Sequence, residues 1–312
     1  MAVVFIPIRS AVAPPTFHNW LDLGVSANGL TVILTDGTDL FVSIDGGSTF
    51  ANETTGGPLS GIGWTACDVS RDGSLFVATA ADIYTSPDGS TWTNKTAGSA
   101  ASGVGFSEVV LSTTGSSIMG ADVSGNAWLS TDSGGTWTEQ PDPTTFGQKF
   151  TNMAATASIA TVVAGVSANR VTTTTNTGTS WANNTNPVIG QAAVAVSGDG
   201  SLFVAAAVSG SEFQTSPDNV TWTTYTSGSA GNWQGVASST TGQYLVGTSD
   251  GDGLIYRSTA FGAGLTATAA PFLTTWGYIW SSDDGTKIKA ISFGNGFWQS
   301  SDSGATWTET AI

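Results

Sequence analysis

Short apolar runs of four to six residues alternate along the whole chain with turns rich in Gly, Asp, Asn and Ser. Ser74-Leu75-Phe76-Val77-Ala78-Thr79 and Ser201-Leu202-Phe203-Val204-Ala205-Ala206 are β-branched or aromatic runs of strand length, too short for a helix and without its 3.6-residue period. Turns such as Ser70-Arg71-Asp72-Gly73, Ser112-Thr113-Thr114-Gly115, Ser197-Gly198-Asp199-Gly200 and Ser282-Asp283-Asp284-Gly285 precede them. Gly-containing turns between short runs are hairpin signals. The pattern predicts an all-β chain with no helix of two turns or more.

The runs repeat. Ser, any residue, Asp, a Gly-containing turn, Thr and an aromatic recur, with conservative replacements such as Asn219 for the Gly, at Ser43 to Phe50, Ser86 to Trp92, Ser130 to Trp137, Thr174 to Trp181, Ser216 to Trp222 and Ser300 to Trp307. An eroded seventh copy fits Ser258 to Leu265. The closing residues Phe50, Trp92, Trp137, Trp181, Trp222, Leu265 and Trp307 are 42, 45, 44, 41, 43 and 42 residues apart. A period of about 43 fits one four-stranded propeller blade. The expectation is a single seven-bladed β-propeller, four antiparallel strands per blade, over residues 18–312. Residues 1–17, with Val3 to Ile8 as a strand, form an arm that pads the last blade or joins a neighbour.

These turns resemble the Asp-box of the bacterial neuraminidase repeat family, and the resemblance covers residues 43 to 307. It implies a propeller with the box between the third and fourth strands of each blade. There Asp45, Asp88, Asp132, Asn176, Asp218 and Asp302 accept N–H groups of a tight turn, Gly supplies positive φ, and the aromatic plugs the space between blades. The boxes are thus expected to be scaffold rather than catalyst.

Composition narrows the function. Eight Lys and Arg against 23 Asp and Glu give a net charge of −15. That balance excludes a basic groove for nucleic acid and disfavours anionic membrane surfaces. No apolar stretch is long enough for a membrane span, and no secretory signal pattern is found at the start. One Cys (Cys67) and one His (His18) leave no disulfide framework and no Cys/His metal site, and no cofactor is expected. Asp250-Gly251-Asp252-Gly253 reads as an acidic hairpin rather than a calcium loop. Asn52, Asn94, Asn183 and Asn219 begin Asn-X-Thr triplets that read as by-products of the repeat.

The sialidases of the resembling family clamp a carboxylate with several Arg and use Tyr, Glu and Asp in catalysis. Here only Arg9, Arg71, Arg170 and Arg257 are available, and Phe5-Ile6-Pro7 lacks the Arg of the family's Phe-Arg-Ile-Pro signature. Glucan-hydrolysing relatives use a carboxylate pair, for which Glu212 with Asp252 is the candidate. The basic patch of related photosystem assembly factors is missing. The expectation is therefore a propeller that is not an enzyme, used for recognition or for building a virion or other extracellular surface. Its partners would be glycans, a cell-surface receptor or an assembly partner. A glycan site would use the end of each blade opposite the Asp turn. Trp20, Trp64, Trp233 and Trp276 stand there before the first strands, and Asp82, Glu212 and Asp252 between second and third strands. Aromatic faces beside hydroxyl partners suit a neutral sugar. A glycoside hydrolase and a purely structural assembly subunit are the alternatives.

Overall fold

The computed structural model describes residues 18–141, 149–167, 170–184, 192–208, 210–226, 231–273, 275–294, 296–310 and 312. The expected arm at 1–17 lies outside the described residues. The chain folds into seven sheets, each of four consecutive antiparallel strands. They form the seven blades of a β-propeller, spanning 22–52, 66–94, 106–139, 150–184, 192–225, 233–267 and 276–310. The blade with the eroded turn, 233–267, is complete. Its Ser258 hydroxyl still accepts the N–H groups of Ala260 and Gly262 and donates to the Ala263 carbonyl, so the turn survives without its Asp.

Burial follows strand position. The second strands, among them Val32–Thr35, Phe76–Thr79 and Ile288–Ser292, are buried at every residue. Each lies mid-sheet with a neighbouring blade on both faces, which is why these runs are uninterrupted rather than alternating. The fourth strands are two or three residues long and largely exposed. Seven hydrophobic clusters lie between adjacent blades, such as Ile33, Leu40 and Val42 of blade 1 against Trp64, Cys67 and Phe76 of blade 2. The first strands surround the axis.

On the face carrying the Asp turns, the turns between first and second strands bond to one another around the axis. Ala27 N–H donates to Arg71 O, Asp72 to Thr113, Thr113 to Ala157, Asp199 to Thr240 and Thr240 to Asp283, at 2.8–3.0 Å. The joint between blades 7 and 1 is held differently. Lys287 Nζ donates to Asn28 O at 2.9 Å and Lys289 Nζ to Gly46 O at 2.6 Å. Gly294 N–H reaches His18 O, the Phe50 and Phe297 rings meet edge to face, and Arg71 pairs with Asp283 over blade 1.

Candidate functional site

The Asp turns are closed on themselves. Asp45 accepts the Ser43 hydroxyl, the Ser48 and Thr49 N–H groups and the Thr49 hydroxyl within 2.6–3.0 Å. Asp88, Asp132, Asp218 and Asp302 repeat the pattern, and Asn176 substitutes its amide, accepting from Thr174 and from Ser180 N–H. Donors of the Thr221 and Val220 backbone pull Asp218 down to about 2, and the Thr306 hydroxyl and N–H do the same for Asp302. The closing aromatics Trp92, Trp137, Trp181, Trp222 and Trp307 are only half-buried. Trp137 ties its blade to the preceding one through Nε1 to Lys95 O at 3.1 Å.

The opposite face corrects the expected glycan site. Trp20, Trp64, Trp233 and Trp276 are 1%, 1%, 0% and 0% exposed. Each packs edge-on against a ring of its own blade, Trp64 on Tyr84, Trp233 on Tyr256, Trp20 on Phe41 and Trp276 on Trp298, while Trp233 also meets Phe213 of the preceding blade and Trp20 stacks on His18. Stacking of adjoining blades covers these rings, so no face is left for a sugar.

Nor are the carboxylates of Asp82 and Asp252 free. Asp82 accepts from Thr96 Oγ1 (2.7 Å), Asn94 Nδ2 (2.9 Å) and Gly103 N–H (2.9 Å). Burial pushes its carboxyl up, and these donors more than offset that, holding it below the usual range. Asp39 holds Asn52, Thr54 and Thr55 in the same way. Two of the four Asn-X-Thr triplets, those at Asn52 and Asn94, thus clamp the fourth strand to the preceding loop. Asp252 accepts from Ser249 and Tyr256 within its hairpin. Glu212 is half-buried in the corresponding loop of blade 5. Among the described residues no group of three or more His, Cys, Asp or Glu is placed to hold a metal.

A cluster that the repeat did not announce lines the axis. A central cavity of ≈ 220 Å³ is bordered by Asp22, Asp68, Glu108, Asn152 and Tyr278, with Arg71 toward the turn-rich end. Every one projects from a first strand or the turn after it. A first strand is a sheet edge, so its outward N–H groups need acceptors. Asp22 Oδ2 takes Cys67 N–H and Asn152 Oδ1 takes Val194 N–H, at 2.8 and 2.9 Å. Asp68 likewise accepts from Leu111 and Glu108 from Met153. In each case a side chain of one blade caps the inner edge of the next. Enclosure by the ring raises these carboxyls, Asp22 to about 6 and Asp68 to about 7, and pushes Glu108 well up, with the charge of Asp22 adding to the last two. The available signal was an acidic or amide residue within an otherwise apolar first strand.

No protein-family model and no curated protein sequence matches the chain. Solved structures do. The β-propeller domain of Cps50 (Swd1) from Myceliophteria thermophila is 14% identical with a TM-score of 0.67, over 90% of this chain and 95% of that one. Virginiamycin B lyase from Staphylococcus aureus is 13% identical with a TM-score of 0.71, over 92% and 95%. A YCF48 structure bound to D1 peptide is 17% identical with a TM-score of 0.69, over 94% of each. At these identities the likeness is one of fold.

Proposed function

We propose that this chain is a non-enzymatic propeller of the Asp-box repeat type, a recognition or surface-structural module displayed on a virion or another extracellular assembly. The observation that carries the reading is how the acidic side chains are used. Channel carboxylates cap the inner edge of the next blade, Asp39, Asp82 and Asp252 tie loops, and the Asp turns bind their own backbone. Hydrolysis by a carboxylate pair needs one group to give up a proton and the other to attack or to activate water. Groups engaged in holding the ring suit a rigid display surface instead. A Ser-, Thr- and Gly-rich chain of net charge −15 suits solvent exposure and discourages nonspecific association. A glycan site on the four buried tryptophans is not part of the proposal.

One observation favours a second reading, glycoside hydrolysis. Asp22 and Asp68, pushed up to about 6 and 7, lie in the range useful to a general acid. Incubation with fluorogenic sialosides, glucosides and xyloglucan oligosaccharides separates the two. The scaffold reading expects product formation no faster than the blank. Turnover that disappears in Glu108→Gln or Asp68→Asn would overturn it. Sedimentation velocity across a concentration series distinguishes a solitary recognition module from an assembly subunit.

A further inference from the structure

At the joint between blades 7 and 1, on the face of the Asp turns, lies a groove of ≈ 300 Å³ bordered by Gly29, Leu30, Gly46, Lys287, Lys289 and Gln299. Two of only eight Lys and Arg residues of an acidic chain meet here. Lys289 is the unexpected one. It sits seven residues after the Ser that opens its turn, and the same position in the other six blades holds Ile33, Val77, Met119, Val163, Val204 and Val246. The scaffold therefore fills this place six times with an apolar side chain. Lys289 is nonetheless 4% exposed, and burying an ammonium is costly unless it is fully paired.

Its pairing among the described residues consists of Gly46 O at 2.6 Å and Gln299 Oε1 at 3.1 Å, with the Phe297 ring 5.4 Å away. An ammonium has three donors, so one remains beside the groove. Burial, with the neighbouring Lys287 charge second, pulls its pKa down to about 8, and the Asp45 charge opposes this only in part. Lys287, exposed at the rim, donates to Asn28 O. Gly29 has positive φ, and a Cβ there would meet the Trp280 ring at 3.3 Å with both lysine stems in ordinary contact at 3.5–3.6 Å.

The surroundings restrict the ligand. Asp45 and Asp302 lie in the turns beside the groove, so a polyanion would be repelled while one negative charge is matched by the lysine pair. Leu30, 50% exposed, borders the groove, and Ile44, 77% exposed, stands two residues before Gly46. Such a surface offers apolar contact to an aliphatic group held beside the carboxylate.

We infer that this groove binds the C-terminal carboxylate of a partner peptide whose last residue is aliphatic, with the carboxylate between Lys287 and Lys289 and the side chain over Leu30. The inference stands apart from the preceding reading, because a scaffold and an enzyme can each carry such a site. The test is amide NMR of the ¹⁵N-labelled chain titrated with an acetylated Gly-Ser-Gly-Leu peptide, its C-terminal amide, and N-acetyl-leucine. The free-acid peptide is expected to move the Gly29 and Gly46 signals. Its amide should bind at least ~10-fold more weakly, since a charge-assisted contact is lost. Lys287→Gln, a surface change compatible with folding, should weaken the acid by a similar factor and leave the amide unaffected. Lys289→Met should abolish the preference for the acid, and if it fails to fold, Lys287→Gln alone decides. Equal binding of acid and amide, shifts away from the seam, or N-acetyl-leucine binding as tightly as the peptide would each overturn the proposal.

Discussion

Asp68→Asn tests the reading of the channel carboxylates as neutral-leaning caps on the ring's inner edge. Enclosure raises Asp68 from the ordinary 3.8 to about 7; the Val69 N–H opposes this, the Asp22 charge adds to it, and the Leu111 N–H and Arg71 oppose it. Because the folded value is the higher, the folded chain keeps a proton that the unfolded chain releases between about pH 4 and 7. Stability therefore declines as pH rises through that window and is level above it. At 1.36 kcal/mol per pH unit, a rise of about three units sets an upper bound of about 4 kcal/mol. Channel water and shared titration with Asp22 and Glu108 reduce it, so about 1–3 kcal/mol is expected at about pH 8. Asn removes the charge and keeps a single acceptor oxygen for the Val69 and Leu111 N–H groups that Asp68 holds, which places the gain at the low end of that range. Thermal unfolding followed by circular dichroism should show Asp68→Asn melting roughly 2–6 °C higher than the parent at about pH 8. At about pH 3, where Asp68 is mostly protonated in both states, the two should nearly coincide. A variant that melts lower at about pH 8 would show that the charge itself holds the blades.

Trp233→Ala, which empties a ring fully enclosed by Phe213 and Tyr256, should cost about 3–5 kcal/mol in urea unfolding. Gly24→Ala places a Cβ 2.6 Å from the Asp68 Cα, so blades 1 and 2 must part and a loss of about 1–3 kcal/mol is expected by the same assay. On the acid side, Asp218, Asp284 and Asp302 are each held at about 2 by their turn donors. Their stabilisation is complete above the ordinary 3.8 and is lost as pH falls toward about 2, which an acid titration followed by far-ultraviolet circular dichroism will locate.

Blade number and strand order were legible because the Asp turn tolerates few residue types: a hydroxyl, a short carboxylate or amide and a positive-φ Gly or Asn recur in six of the seven blades where the third strand meets the fourth. Even the eroded copy kept Ser258, the residue that anchors the turn backbone. The aromatics were harder to place. Both sets stand beside polar turns in sequence, and only the stacking of blade on blade separates them. It encloses Trp20, Trp64, Trp233 and Trp276 and leaves Trp92 and Trp137 half-covered, the reverse of the assignment made from the repeat. Asp82 looked like a free rim acceptor because its partners Asn94 and Thr96 belong to the far side of a hairpin. The channel groups escaped notice for a related reason. Asp22, Asp68 and Glu108 stand on different blades, and ring closure alone makes them neighbours. Lys289 was visible in the alignment of the seven repeats as a cation in an apolar column.

Side-chain closure of the last joint gives the ring a mechanical asymmetry. Among the described residues, six joints between blades are also spanned by the chain, while the seventh rests on the hydrophobic cluster around Trp20, Val32 and Phe297, on Lys287 and Lys289, and on a few backbone bonds. Such a body behaves as a split washer: a small outward strain spread over every blade can be relieved by one gap. Breathing should start there, with amide exchange fastest along the facing edges of blades 7 and 1 and slowest diametrically opposite. Anything seated in that gap acts on the whole circumference, since clamping one joint stiffens all seven.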